Sequence, residues 1–167
     1  MFPTIIVSDF FEDFQKIQKL SKELKYYPPL ENENWDGLRT DCLHTTHPDL
    51  FKEITLKILG FYYPNHQISF SNSVLHFYKV KPGHTGKNHF HYDVNTEIAS
   101  IIYLSPGDID NGTTIMNESK EKQIIVGNDP NSMIAYDGRK YHGRTTLKVK
   151  KERITLIAFI SGVKAER

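Results

Sequence analysis

The sequence predicts a mainly β domain, a double-stranded β-helix (jelly-roll) barrel flanked by two N-terminal helices. Three observations predict it. Two apolar stripes of helical period occupy the first third of the chain. Past Tyr63-Pro64 the texture changes to short, β-rich runs. Turn-forming residues separate several of those runs. A chain of 167 residues is long enough to bury one sizeable core, so a single domain over 1–167 is expected, with a helical front at 1–64 and a jelly-roll core at 65–162. There is no internal repeat, low-complexity tract or linker.

The first helix is expected from Ser8, a suitable N-cap, because apolar residues recur at Phe10, Phe11, Phe14, Ile17, Leu20 and Leu24, with Lys and Glu opposite. Pro28-Pro29 ends it. Segment 30–46 is polar and irregular around Trp35, Gly37 and Arg39. A second helix begins at Pro48, a residue suited to the first helical position, carries Leu50, Phe51, Ile54 and Ile58, and stops at Gly60. Strands are expected near 66–70, 73–80, 97–104, 113–116, 122–126, 132–136, 143–149 and 153–161. The turn signals are Pro82-Gly83, Pro106-Gly107, Asn111-Gly112 and Asn128-Asp129-Pro130.

Composition narrows the functional classes. A formal net charge of +1 gives no electrostatic case for strong binding to nucleic acid or to a membrane surface. Cys42 is the only cysteine, so no intramolecular disulfide and no zinc knuckle can form, which fits a reducing, cytoplasmic setting. No apolar run approaches the roughly 18 residues of a membrane span. The start, Met1-Phe2-Pro3-Thr4, lacks the basic region of a signal peptide.

The chemistry concentrates in Asn88-His89-Phe90-His91-Tyr92-Asp93. On a strand, residues two apart share a face, so His91 and Asp93 are expected side by side. His142, alone late in the chain before another strand, is the candidate third ligand. Two imidazoles and one carboxylate form the usual holder for non-haem Fe(II), with adjacent positions left open. A second His-x-Asp, His47-Pro48-Asp49, has the wrong context: Pro48 opens a helix and Asp49 suits its dipole. His89 shares the expected face and competes with His91, but pairing His91 with Asp93 supplies the carboxylate. The ordinary alternative is that His91 and His142 are polar residues at strand ends. Asn88, Asn95 and Asp137 are candidates to orient the imidazoles.

In the last strand, Arg153 and Thr155 share one face, and Ile154, Leu156 and Ala158 the other. An arginine facing into a barrel requires an anionic partner, and its planar guanidinium pairs a carboxylate through two bonds. Its ordinary reading is a solvated rim arginine beside Lys148, Lys150 and Lys151.

His91-x-Asp93, His142 and Arg153-x-Thr155 in this order resemble the Fe(II)/2-oxoglutarate-dependent dioxygenases, in a compact prolyl-4-hydroxylase-like form. Tyr78 before the Pro82-Gly83 turn stands where that branch has a tyrosine contacting 2-oxoglutarate. Tyr103-Leu104-Ser105 with Asn111-Gly112-Thr113-Thr114 is similar to its hairpin, with Asn111 replacing the first of two glycines. The likeness covers roughly 72–162. Prolyl hydroxylases often use lysine where this chain has Arg153. The resemblance implies Fe(II) held by His91, Asp93 and His142, with 2-oxoglutarate as co-substrate and ascorbate as an accessory. It also implies that Arg153, Thr155, Tyr78 and Tyr103 form the co-substrate site. The implied reaction uses O₂ to hydroxylate or oxidatively demethylate a C–H bond, releasing succinate and CO₂. Asp93 stands where halogenating relatives have a small residue, which favours hydroxylation or demethylation over halogenation.

Two other classes compete. A cupin would use His89, His91, Glu97 and His142, although the gap to Glu97 is too long by about one residue. A jelly roll can also be a non-catalytic binding module. For an oxygenase, the expected substrates run from peptide prolyl through other amino-acid side chains and small molecules to nucleobases. Trp35 is expected to anchor helices on the sheet and Arg39 to be solvated, with contact to substrate as the alternative. The stretch 83–90 reads as a lip beside the metal.

Overall fold

In the computed structural model of this chain, strand β10 (Arg153–Ser161) organises the barrel. It pairs antiparallel with β4 (Asn72–Val80) on one side and with β5 (Ile98–Tyr103) on the other, in a register that sets Thr155 between Tyr78 and Tyr103. The structure describes all residues except 32, 34, 85–89, 106, 107, 147 and 148, and no side-chain placement at 108, 109 or 123. The Pro106-Gly107 turn and most of the 83–90 lip therefore lie outside the described residues. With β1 (Ile5–Val7), β2 (Leu38–Arg39) and β8 (Met133–Asp137), these strands form a six-stranded sheet in the order β1-β8-β5-β10-β4-β2. The second sheet is β7 (Lys122–Asn128), β6 (Asp108–Met116) and β9 (His142–Arg144), in the order β7-β6-β9. A short pair joins β11 (Lys164–Glu166) to β3 (Gln67–Ser69). This is the mainly β, antiparallel jelly roll that the sequence predicts.

Alternation along β10 divides the molecule into two apolar layers. Ile154, Leu156, Ala158 and Ile160 pack toward the helices with Phe10, Leu43, Ile54, Ile58 and Leu59. Each fully buried Leu or Ile there contributes roughly 1.5–3 kcal/mol. Across the large sheet a smaller cluster gathers Ala99, Tyr103, Ile134 and Tyr136 from that sheet and Ile115 and Val126 from the other. The functional cavity opens in this second layer, because β10 sends Arg153, Ile157 and Phe159 to its wall.

Three helices cover the large sheet: α1 (Phe14–Glu23), the four-residue α2 (Leu43–Thr46) and α3 (Pro48–Tyr62). The expected start of α1 at Ser8 is not observed. Residues 5–7 pair with β8, Asp9 takes a positive φ of 52°, and the Asp13 side chain caps the helix by accepting from Lys16 N. The physical reason lies in Asn131. Its side chain accepts from Phe11 N at 2.8 Å and donates to Phe11 O at 2.9 Å, satisfying an extended backbone that the helix would otherwise claim. Phe10 and Phe11 are core residues, as their apolarity suggested, but they belong to no helix. α3 begins at Pro48 with Asp49 in its first turn, and runs two residues beyond Gly60. Strand 143–149 shortens to β9, and β1, β2 and β11 carry too few residues to show a period. Among the described residues no helix is long and apolar enough to cross a membrane.

Gly112 has a positional role. A Cβ there would lie 1.7 Å from the Val126 carbonyl oxygen, so only glycine lets β6 approach β7 at its register shift. The neighbouring Asn111 carbonyl reaches the site described next.

Candidate metal centre and cavity

His91, Asp93 and His142 converge, with one ligand atom from each lying within 4.8 Å of the others. The route differs from the expected one. His91 forms only an isolated bridge with His142, donating N–H to its carbonyl at 2.9 Å and accepting its N–H at 3.0 Å. Asp93 follows outside any strand, and its N–H binds the Gly138 carbonyl at 2.8 Å. Pairing with the β9 segment and the turn before it aligns the three groups, rather than alternation along one strand. Oδ1 of Asp93 lies 3.5 Å from Nε2 of His91, and Oδ2 lies 3.3 Å from Nε2 of His142.

The chemistry of this donor set fits a divalent cation. Nδ1 of His142 is 2.7 Å from the Lys140 carbonyl, an acceptor only, so Nδ1 carries a proton and Nε2 is the ring atom turned toward Asp93, where a cation would be met. Asp93 Oδ2 is buried without a hydrogen bond among the described residues. Burial opposes ionisation of Asp93, but the imidazoles of His142 and His91 outweigh it and hold the carboxyl well below the usual carboxylate range. A half-buried, ionised carboxylate between two imidazole nitrogens fits a cation holder of the two-His-one-carboxylate type. Side-chain exposure grades from 53% at His91 through 15% at Asp93 to 4% at His142, so the cluster spans the cavity from mouth to interior. The Tyr136 ring packs against His142 with centroids 4.7 Å apart.

Of the expected orienting side chains, Asn88 lies outside the described residues, as does His89. Asp137 is committed to Arg139 and to Phe2 N, and the Asn95 carbonyl accepts from Ser161. For His142 the Lys140 carbonyl takes that part. Glu97, the cupin alternative, accepts from Val163 N and is not in the cluster.

The cluster opens into a cavity of about 360 Å³. Arg153 is on its wall and 3% exposed, far from a rim residue. Its Nε donates to the Asn111 carbonyl at 3.0 Å, and its guanidinium carbon lies 5.5 Å from the Tyr103 ring centre. Burial pushes its pKa down, with Tyr103 and Tyr78 opposing, and an arginine stays charged through such a shift. Thr155 and Tyr103 are fully buried under this wall. The Tyr103 hydroxyl donates to Thr113 Oγ1 at 2.6 Å, while Thr155 Oγ1 has no hydrogen bond among the described residues. Tyr78 lines the cavity, but its hydroxyl donates to Asp36. Burial, then the Asp36 carboxylate, drive the Tyr78 phenol well above its usual pKa.

Sequence reasoning missed Asp36, His84 and Arg144. Asp36 Oδ2 meets Arg144 Nη2 at 2.8 Å and His84 Nε2 at 2.9 Å. Burial of Asp36 is outweighed by Tyr78, Arg144 and His84, which lower its pKa. Arg144 was legible in principle, since it stands two residues after His142 on one strand. Trp35 and Arg39 depart from their expected packing and surface roles. Both line the cavity, with the Arg39 guanidinium 4.2 Å from the Trp35 ring centre.

No protein-family model matches the sequence, and no curated protein matches it. Solved structures do. A 2OG-Fe(II) oxygenase-family oxidoreductase from Burkholderia pseudomallei aligns with a TM-score of 0.71 at 12% identity, over 98% of this chain and 88% of that one. A Pseudomonas putida prolyl-4-hydroxylase aligns at 0.60 and 14% identity, over 98% of this chain and 92% of that one. HygX from Streptomyces hygroscopicus, solved with nickel, 2-oxoglutarate and hygromycin B, aligns at 0.61 and 11% identity, over 95% of this chain and 82% of that one. The fold of this chain is the jelly roll of the 2OG-Fe(II) oxygenases.

Proposed function

We propose that this chain is an Fe(II)- and 2-oxoglutarate-dependent oxygenase that hydroxylates, or oxidatively demethylates, a C–H bond of its substrate. One observation carries the reading: the His91-Asp93-His142 cluster opens into the same cavity that holds the buried guanidinium of Arg153. Bound Fe(II) supplies O₂ activation coupled to decarboxylation of the keto acid to succinate and CO₂.

The chain's own residues do the rest. His91, Asp93 and His142 hold the metal, and the Lys140 carbonyl fixes the His142 tautomer. Arg153 holds the distal carboxylate of 2-oxoglutarate. Its fork suits a planar carboxylate, and low exposure strengthens the attraction. Thr155 and Tyr103 support that wall in one cross-strand row with Tyr78. Tyr78 stays protonated and can donate a hydrogen bond when it leaves Asp36. Ile157 and Phe159 keep the space between wall and cluster apolar, which limits water at the reacting carbon.

The substrate class favoured is an amino-acid unit, as a peptide or a free molecule. The prolyl-4-hydroxylase of the same fold supports it, and the near-neutral charge of the chain disfavours a nucleobase within nucleic acid. Anaerobically prepared, iron-loaded protein given O₂ and 2-oxoglutarate is expected to release succinate in excess of iron, and Arg153→Ala to lose that release. Succinate at the level of a His142→Ala control would overturn the reading.

A further inference from the structure

Arg153 accounts for one anion in the cavity, yet the wall carries two further guanidinium groups, Arg39 and Arg144. The carboxylates on the wall are Asp36 and Asp93. Asp93 belongs to the metal cluster, and Asp36 is already shared among Arg144, His84 and Tyr78. Three donors on this wall make no hydrogen bond among the described residues: Arg144 Nη1, Arg39 Nε and Trp35 Nε1. All three atoms are buried, and Arg144 as a whole is 8% exposed. Leaving one such donor without an acceptor costs about 1–3 kcal/mol, and more where it is charged. The other wall atoms without a partner among the described residues are Asp93 Oδ2, which belongs to the candidate metal cluster, and Ser100 Oγ, a hydroxyl that donates as well as accepts. Two guanidinium groups and an indole therefore select a ligand that brings acceptor oxygens and negative charge.

We infer that Arg144 and Arg39, with the Trp35 indole stacked on Arg39, form a second anion subsite that grips a carboxylate of the substrate being oxidised. The subsite presupposes the oxygenase reading, because a substrate held there shares the cavity with the metal and the keto acid. The arrangement follows from the fold. Arg144 faces inward because it stands two residues from His142 on β9. Arg39 reaches the wall because β2 pairs with the edge of β4, Arg39 opposite Tyr78. Asp36 takes Nη2 of Arg144 and orients the fork, while Nη1 is left for the ligand. The carboxylate comes either from a free amino acid or from the C-terminus of a peptide. The cavity of about 360 Å³ is at the small end of the roughly 300–1,000 Å³ usual for small-molecule sites.

The chain's single tryptophan lies at this subsite, so its fluorescence reports occupancy directly. Protein loaded with Mn(II) and saturated with N-oxalylglycine, an inert keto-acid mimic, is titrated with N-acetyl amino acids, free amino acids, and short peptides ending in a free carboxylate or an amide. Saturable fluorescence changes are expected for acids, about tenfold weaker or absent for the matching amides. Free amino acids and peptides are separate arms that identify the source of the carboxylate. Arg144→Gln and Arg39→Gln should each weaken the acids about tenfold while N-oxalylglycine affinity stays within about threefold. Arg144→Lys, which keeps charge but loses the fork, should fall between. Thermal melts confirm folding, and Arg39→Gln breaks no ion pair among the described residues.

Equal binding of acids and amides would overturn the subsite, as would unchanged affinity in both glutamine variants. Loss of N-oxalylglycine binding in Arg144→Gln would reassign that arginine to the co-substrate and also end the proposal. Failure of Mn(II) or N-oxalylglycine to bind the unmodified protein would bring down the oxygenase reading, and the subsite with it. Binding of both with no preference for acids removes the subsite alone.

Discussion

Nε2 of His142 stands 3.3 Å from Oδ2 of Asp93, although the two residues lie on different segments. Backbone hydrogen bonds hold both in place. His142 exchanges two with His91, and Asp93 donates to Gly138, four residues before His142 in the chain. Main-chain pairing therefore sets where the three candidate metal ligands stand. Substituting a ligand should remove metal binding while sparing the fold.

Loss of His142 tests this relationship. His142→Ala should weaken Mn(II) binding by more than the roughly 10–100-fold typical of removing a group that merely orients a ligand. At metal concentrations of about 100 times the dissociation constant, binding adds about 2.7 kcal/mol, a rise of several degrees in melting temperature. That rise should be missing in the variant. Electron paramagnetic resonance titration measures the affinity, and native binding in His142→Ala would remove it from the ligand set.

The role given to Arg153 depends on its fork. Arg153→Lys keeps the charge but cannot make two parallel bonds, and should weaken 2-oxoglutarate binding by about 10-fold, with Arg153→Gln weaker still. Calorimetric titration of the Mn(II)-loaded protein reads this. Equal affinity in all three proteins would place the distal carboxylate elsewhere.

Gly112 and Gly60 form a contrasting pair. Gly112→Ala places a methyl 1.7 Å from the Val126 carbonyl oxygen, and backbone must move to relieve it. A loss of about 3 kcal/mol or more in urea unfolding is expected, together with weaker 2-oxoglutarate binding because the adjacent Asn111 carbonyl holds Arg153. Gly60→Ala, near the end of α3, meets nothing within 4 Å and should stabilise by about 0.5–1 kcal/mol. A mild Gly112→Ala phenotype would show that β6 and β7 are not held so closely.

Acid stability should carry a contribution from Asp137. Its bonds to Arg139, stronger than the opposing burial, and to Phe2 N lower its pKa from 3.8 to about 2. A depressed folded-state value means that the stabilisation is fully present above about pH 4 and is lost as pH falls toward about 2. The Arg139 side chain is 58% exposed, so solvent screening reduces the effect to about 1 kcal/mol. Asp137→Asn should lower stability at pH 7 by that amount and flatten the profile between those two pH values. A parallel profile in wild type and variant would deny the ion pair any role.

Much of the barrel was legible because its signals are local. Residues 154, 156 and 158 alternate with 153, 155 and 157, and a period of two shows on a nine-residue strand. His142 stood out as a lone histidine before a strand, and Pro48 announced a helix start. The front of the chain misled because Phe10 and Phe11 fit a helical stripe, whereas a distant side chain, Asn131, satisfies their backbone.

The sequence by itself determined the jelly-roll class, the ordered set of His91, Asp93, His142 and Arg153, and the face of β10 that turns inward. The face of β10 depends on spacing along one strand, where strand geometry dictates neighbours, and the ordered set was legible as residue types in sequence rather than as a shared strand face. Only the tertiary structure decided that Asp36, Trp35 and Arg39 reach the cavity wall, and that a backbone bridge rather than a continuous strand aligns His91 with His142. A two-residue edge strand carries no period, and the energy that places it comes from pairing with β4 far along the chain.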